Sequence, residues 1–201
     1  INLPAGKNLV GAFHQPRAVL IDPRTLDTLP IRELRAGYAE VVKYGLIGDP
    51  EFFAWCEGQG AAVIAGDGEA REHAIETSVS AKAKLVAADE RDTDGSRALL
   101  NFGHTFAHAL EAEAGFSSRL LHGEAVALGM ALAFRFSARR GLCTAAEAER
   151  VAAHLHQMDL PTTLAEAGIS AGGRSLVLHM AHDKKRADGR FPFILTRGIG
   201  K

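Results

Sequence analysis

The chain has 201 residues, 47% of them hydrophobic and 23% charged, with a formal net charge of −1. These values suit a globular fold with a sizeable core and argue against nucleic acid or an anionic membrane surface as a partner. No run of about 18 apolar residues predicts a membrane-spanning helix, and two cysteines without a CxxC pattern, Cys56 and Cys143, point away from a disulfide framework and toward a reducing, cytoplasmic location.

Residues 1–30 read as a strand and loop segment. Ala18-Val19-Leu20-Ile21, bounded by Pro16 and by Asp22-Pro23, has the signature of a short buried strand. A lone strand cannot satisfy its own backbone, so its partners are expected elsewhere in this chain or outside it. From Ile31 the pattern turns helical. Leu34, Tyr38, Val41, Val42, Gly45 and Leu46 recur at spacings of three and four, which places them on one face. A second helix is predicted over 71–89, with Ile75, Val79, Lys82 and Val86 on one side. A third is predicted over 100–114 and a fourth over 123–140. A fifth starts after Thr144, which forms a capping-box pair with Glu147, and ends before Pro161. Residues 183–189 read as a charged turn leading into a short strand, Phe191-Pro192-Phe193-Ile194-Leu195. The predicted fold is mainly α, with a few short strands near the two ends and a helical domain over 31–201.

Three places concentrate groups able to do chemistry. His104 and His108 are four residues apart, so on a helix they share a face. Leu121-His122-Gly123-Glu124 places a third imidazole beside a helix start. Glu40 and Lys43 sit three apart in an otherwise apolar helix. There a charge is costly unless it is paired or bound. Two imidazoles and one carboxylate make a three-ligand set for a catalytic zinc with a position left open. Each feature also has a plainer reading. A histidine pair at this spacing often just satisfies hydrogen bonds, and Glu40 with Lys43 can be an intrahelical ion pair.

Several longer motifs occur in a fixed order. They are Gly6-Lys7-Asn8-Leu9-Val10-Gly11-Ala12-Phe13-His14-Gln15-Pro16, then Arg32-Glu33-Leu34 running into Ala39-Glu40-Val41-Val42-Lys43-Tyr44-Gly45. Next come Ala88-Asp89-Glu90-Arg91 and Arg97-Ala98-Leu99-Leu100-Asn101-Phe102-Gly103-His104-Thr105. Leu121-His122-Gly123-Glu124-Ala125-Val126-Ala127 follows, and Asp183-Lys184-Lys185 with Gly189 comes last. Together they resemble the second, metal-binding half of the 3-dehydroquinate synthases, within the sugar-phosphate cyclase superfamily, collinearly over nearly the whole chain.

The resemblance implies a helical domain that holds Zn2+ (or Co2+) through Glu40, His104 and His122. It implies a phosphate lyase that uses NAD+ to cyclise 3-deoxy-D-arabino-heptulosonate 7-phosphate to 3-dehydroquinate with loss of phosphate, the second step of the shikimate pathway. His108 and Lys43 match catalytic positions, His108 as the proton acceptor. Lys82 and Arg97 match positions that bind the substrate carboxylate, a task suited to the guanidinium fork. Asn8, Asn101, Lys184 and Lys185 match positions near the phosphate. Lys7, Thr25, Leu26, Asp27 and Thr28 match positions that touch the dinucleotide.

The sequence departs from the family pattern in three places. The stretch 91–96 is slightly longer than usual, Ala107 stands where glycine is usual, and Asp27 stands where lysine is common. No glycine-rich dinucleotide fingerprint in a strand–turn–helix context occurs. Together with a start at Ile1, this gives the expectation of a fragment that would join a nucleotide-binding domain through residues 1–30. Alone it is expected to be inactive, whereas the full-length enzyme is expected to be a homodimer. Two alternatives are another sugar-phosphate cyclase, acting on a sugar without a carboxylate, and a non-catalytic metal-binding helical domain.

Overall fold

The computed structural model describes residues 10–11, 14–89, 96–183 and 193–201. Among the described residues seven α-helices form the fold: α1 (Ile31–Gly48), α2 (Pro50–Ala65), α3 (Gly68–Ala88), α4 (His104–Glu113), α5 (His122–Arg139), α6 (Ala145–Gln157) and α7 (Gly173–Asp183). Two 3-10 turns, Pro23–Thr28 and Ser96–Asn101, precede α1 and α4.

Helix α5 is the centre of the molecule. Ala125, Val126, Ala127, Leu128, Met130, Ala131, Ala133 and Phe134 are all fully buried. A helix apolar all round must be enclosed on every side, and α1, α4 and α6 pack around α5. Helix α1 also carries α2, and α4 carries α7. The face of α1 read from the sequence is the buried one, with Leu34, Tyr38, Val42, Gly45 and Leu46 inside. Thr144 and Glu147 cap α6 reciprocally: the Glu147 N–H donates to the Thr144 hydroxyl at 3.1 Å, and the Glu147 carboxylate accepts the Thr144 N–H at 3.0 Å. Cys56 and Cys143 are free.

Two contacts set the positions of α1, α4 and α5. At Gly123 a side chain would collide with the backbone carbonyl of Ala36, so α1 and the start of α5 touch main chain to main chain. Arg32 of α1 then clamps Glu124 of α5 through two bonds, 2.6 and 2.7 Å. Glu124 also accepts the Leu121 N–H at 2.8 Å, satisfying a donor at the start of α5.

The structure differs from the sequence reading in several places. Ala18–Ile21 forms no strand: Val19, Leu20 and Ile21 are exposed, Leu20 almost entirely. Without a neighbouring strand their backbone has no ladder to join. Phe191 and Pro192 lie outside the described residues, as do Lys184 to Gly189 of the charged turn. Phe193 to Leu195 have no regular structure, and no strand occurs among the described residues. Phe193 instead packs its ring on Phe106 and Phe136, with centroids 5.3 and 5.6 Å apart. The helix expected over 100–114 is broken. Gly103, at φ 78°, takes a left-handed conformation that ends the 3-10 turn and starts α4 at His104. Helices α2 and α7 were not expected. The predicted side of α3 is not its buried side: Val79 and Lys82 are exposed, and Ala70, Arg71 and Ala74 face inward.

Candidate metal centre

Glu40 lies in the middle of α1, and His104 and His122 are the first residues of α4 and α5. The Ala36–Gly123 contact brings the α5 start to within one turn of Glu40. The three side chains therefore converge although they lie 64 and 18 residues apart in sequence. One donor atom from each falls within 4.8 Å of the other two. Glu40 Oε1 lies 3.6 Å from His104 Nε2 and 3.8 Å from His122 Nε2. Two ligand atoms each about 2.1 Å from a tetrahedral zinc lie about 3.4 Å apart, so these separations suit a shared ion.

The other atoms of the ligands are already held. His104 Nδ1 lies 3.1 Å from the Phe102 carbonyl, and His122 Nδ1 lies 3.1 Å from Glu111 Oε1. An Nδ1–H donated in each case leaves Nε2 with its lone pair directed at the centre. Lys43 Nζ donates to Glu40 Oε2 at 2.5 Å. Glu40 Oε1, by contrast, is a buried acceptor with no hydrogen-bond partner. Buried carboxylate oxygens are normally satisfied, and this one faces two imidazole nitrogens that are bare in the same tautomer. The donor set therefore fits a divalent cation. Burial pushes His104 below the ordinary imidazole pKa, with the Lys43 ammonium adding to the effect. It is therefore neutral at neutral pH, as a metal ligand must be.

Around this centre, His108 sits one turn along α4, its ring 5.7 Å from that of His104. Lys43 is buried. Arg97 is partly buried and Asn101 exposed in the turn Ser96–Asn101, and Lys82 is exposed on α3, which packs against that turn. Thr25, Asp27 and Thr28 are exposed and Leu26 is half-buried in the first 3-10 turn. Asp27 accepts from the buried Arg71 at 2.6 Å, tying that turn to α3. Asn8, Lys7, Lys184 and Lys185 lie outside the described residues. Ala107 is fully buried on α4. The residue missed from sequence is Glu111. Its signal was its spacing, seven after His104 and three after His108, which puts it on their face of α4.

The family described as "3-dehydroquinate synthase C-terminal" matches residues 37–186, and "3-dehydroquinate synthase N-terminal" matches residues 1–36. The chain is 61% identical over 201 residues to the 3-dehydroquinate synthase of Zymomonas mobilis subsp. mobilis, covering all of this chain and 53% of that protein. It is 59% identical over 203 residues to that of Rhodospirillum rubrum, covering 100% of this chain and 52% of the relative. Among solved structures, a 2-epi-5-epi-valiolone synthase from Streptomyces hygroscopicus subsp. jinggangensis with NAD+ and Zn2+ bound superposes with a TM-score of 0.86 at 33% identity. It covers 100% of this chain and 54% of that one. A 2-deoxy-scyllo-inosose synthase complexed with carbaglucose-6-phosphate, NAD+ and Co2+ gives 0.80 at 29% identity, covering 100% and 55%. The chain spans about half the length of the curated relatives it matches. With its helical fold, its metal-ready triad and a family match across most of its length, the chain belongs to the 3-dehydroquinate synthase family.

Proposed function

We propose that this chain is the metal- and substrate-binding half of a 3-dehydroquinate synthase. The enzyme would cyclise 3-deoxy-D-arabino-heptulosonate 7-phosphate to 3-dehydroquinate with elimination of phosphate, as the cytoplasmic second step of the shikimate pathway. The observation that carries the reading is Glu40 Oε1, buried, unpartnered and facing the Nε2 atoms of His104 and His122. A bound metal would supply Lewis-acid polarisation of a substrate hydroxyl, and NAD+ would supply its reversible oxidation.

The chain's own residues do the rest. Glu40, His104 and His122 would hold the ion. His108, one turn from His104, takes the proton released from the substrate hydroxyl. Lys43 orients Glu40 and reaches the substrate. Arg97 and Lys82 hold the substrate carboxylate, and Asn8, Asn101, Lys184 and Lys185 hold the phosphate. Lys7 and residues 25–28 meet the dinucleotide, most of which is held by a nucleotide-binding domain beyond this chain. Without that domain the chain keeps the metal and turns over no substrate. The full-length enzyme is a homodimer.

A second reading, another sugar-phosphate cyclase, is favoured by the two structural neighbours. Arg97 and Lys82 speak for a carboxylated substrate instead. The test is metal content by elemental mass spectrometry of the purified protein beside Glu40→Ala and His104→Ala. One zinc per chain, lost in both variants, is the expected result. No zinc after reconstitution of the unaltered protein would overturn the triad.

A further inference from the structure

The three ligands are not held equally well. The His104 side chain is 12% exposed and is fixed by the Phe102 carbonyl, whereas the His122 side chain is 45% exposed at the first residue of α5. Exposure leaves little packing to choose the His122 rotamer. The ring meets His104 edge-on, with centroids 5.4 Å apart, and its Nδ1 meets Glu111, whose carboxylate reaches it at 3.1 Å from a side chain only 11% exposed.

Glu111 also stands where helix electrostatics disfavour it. It lies in the last turn of α4, at the negative end of the helix dipole, and a buried carboxylate there needs a compensating donor or cation.

We infer that Glu111 is a positioning residue of the metal centre, one that orients His122 through its Nδ1–H. The inference rests on the metal reading above. A carboxylate hydrogen-bonded to a ligating imidazole fixes its tautomer and raises its basicity, and losing such a partner typically weakens metal binding about 10- to 100-fold.

The test measures zinc affinity by competition with a chromophoric chelator in the unaltered protein and in Glu111→Gln, Glu111→Ala and His122→Ala. Visible spectra of the Co2+-loaded proteins run beside it. Glu111→Ala is expected to bind zinc about 10- to 100-fold more weakly. Glu111→Gln, which keeps an acceptor oxygen without the charge, should fall between and shift the cobalt bands. Because glutamine is close to isosteric, it also decides the question if the alanine variant does not fold. Zinc held by the Glu111 variants to within about threefold, with an unchanged cobalt spectrum and loss only in His122→Ala, would overturn the inference and leave the metal centre standing. No zinc in the unaltered protein would overturn both.

Discussion

His154 projects from α6 into the interface with α1 and α2, where it is 3% exposed. Its Nε2 meets the Tyr38 hydroxyl at 3.1 Å, and that hydroxyl also reaches the Cys56 carbonyl at 3.2 Å. Nδ1 is buried without a partner. The rings of Tyr38 and Phe53 close the site edge-on, and Glu57 on α2, bound to Arg150, is a charge that acts on it. Burial therefore pushes the His154 pKa below its ordinary 6.5, against a smaller opposing pull from Glu57. The folded pKa is the lower one, so above about 6.5 both states are neutral and His154 adds no pH dependence. Below that the unfolded chain takes up a proton that the folded chain refuses, and stability falls as the pH drops. His104 is shifted the same way, so a variant is needed to isolate His154. Urea midpoints at pH 7.5 and 5.5 should drop further for the unaltered protein than for His154→Gln. Parallel drops would mean that His154 is not the group responsible. The pH response of His154 could not be read from sequence, because a histidine in an amphipathic helix does not announce that its neighbours are Tyr38 and Phe53. Glu40, His104 and His122 could be read, because each sits in its own motif. The double use of Glu40 could not: one oxygen accepts from Lys43 while the other faces the two imidazoles, so the ion pair of the plain reading forms and still leaves an oxygen open to a metal.

At the scale of elements, the site depends on how closely α1 and α5 approach. A methyl group at Gly123 would overlap the Ala36 backbone, which cannot swing aside as a side chain could. Gly123→Ala must therefore push apart the helices that carry Glu40 and His122. It should cost about 1–3 kcal/mol of stability, as overpacking does, and weaken zinc binding as well. Gly58→Ala is the control: it lies within α2 and faces open space. It should gain about 0.5–1 kcal/mol from helix propensity. Equal zinc affinity in both variants would show that the contact does not set the site. Chemical denaturation and chelator competition measure the two effects. Glycine also explains which helices were legible. Helices α1, α5 and α6 show a regular apolar period or a capping box. Helix α2 has both end signals, Asp49-Pro50 at its start and a left-handed Gly66 at its end, but Gly58 and Gly60 interrupt its apolar pattern. Strand character at Ala18–Ile21 was a property of composition alone. A β-rich tetrapeptide becomes a strand only where another edge receives it.

Across the whole molecule, the three candidate ligands come from helices that meet at one point from different parts of the chain. Residues 193–201 return across the same bundle. Thr196 N–H donates to the Ser137 hydroxyl at 3.1 Å, Ile199 N–H to Glu147 at 3.3 Å and Gly200 N–H to the Leu46 carbonyl at 2.9 Å. Those bonds join α5, α6 and α1 on the tail side, and a metal ion would join α1, α4 and α5 through Glu40, His104 and His122. An ion that binds the assembled triad and not the separated ligands adds its binding free energy to folding, about 2.7 kcal/mol when free metal is 100 times its Kd. The thermal midpoint of the zinc-loaded protein should therefore rise with zinc concentration and fall when a chelator is added. His104→Ala should start from a lower midpoint and respond to neither. A chelator response that survives in His104→Ala would place the stabilising ion elsewhere. A midpoint indifferent to zinc in the unaltered protein would mean that the three helices are held by packing alone, with the ion bound no more tightly to the folded triad than to the unfolded chain.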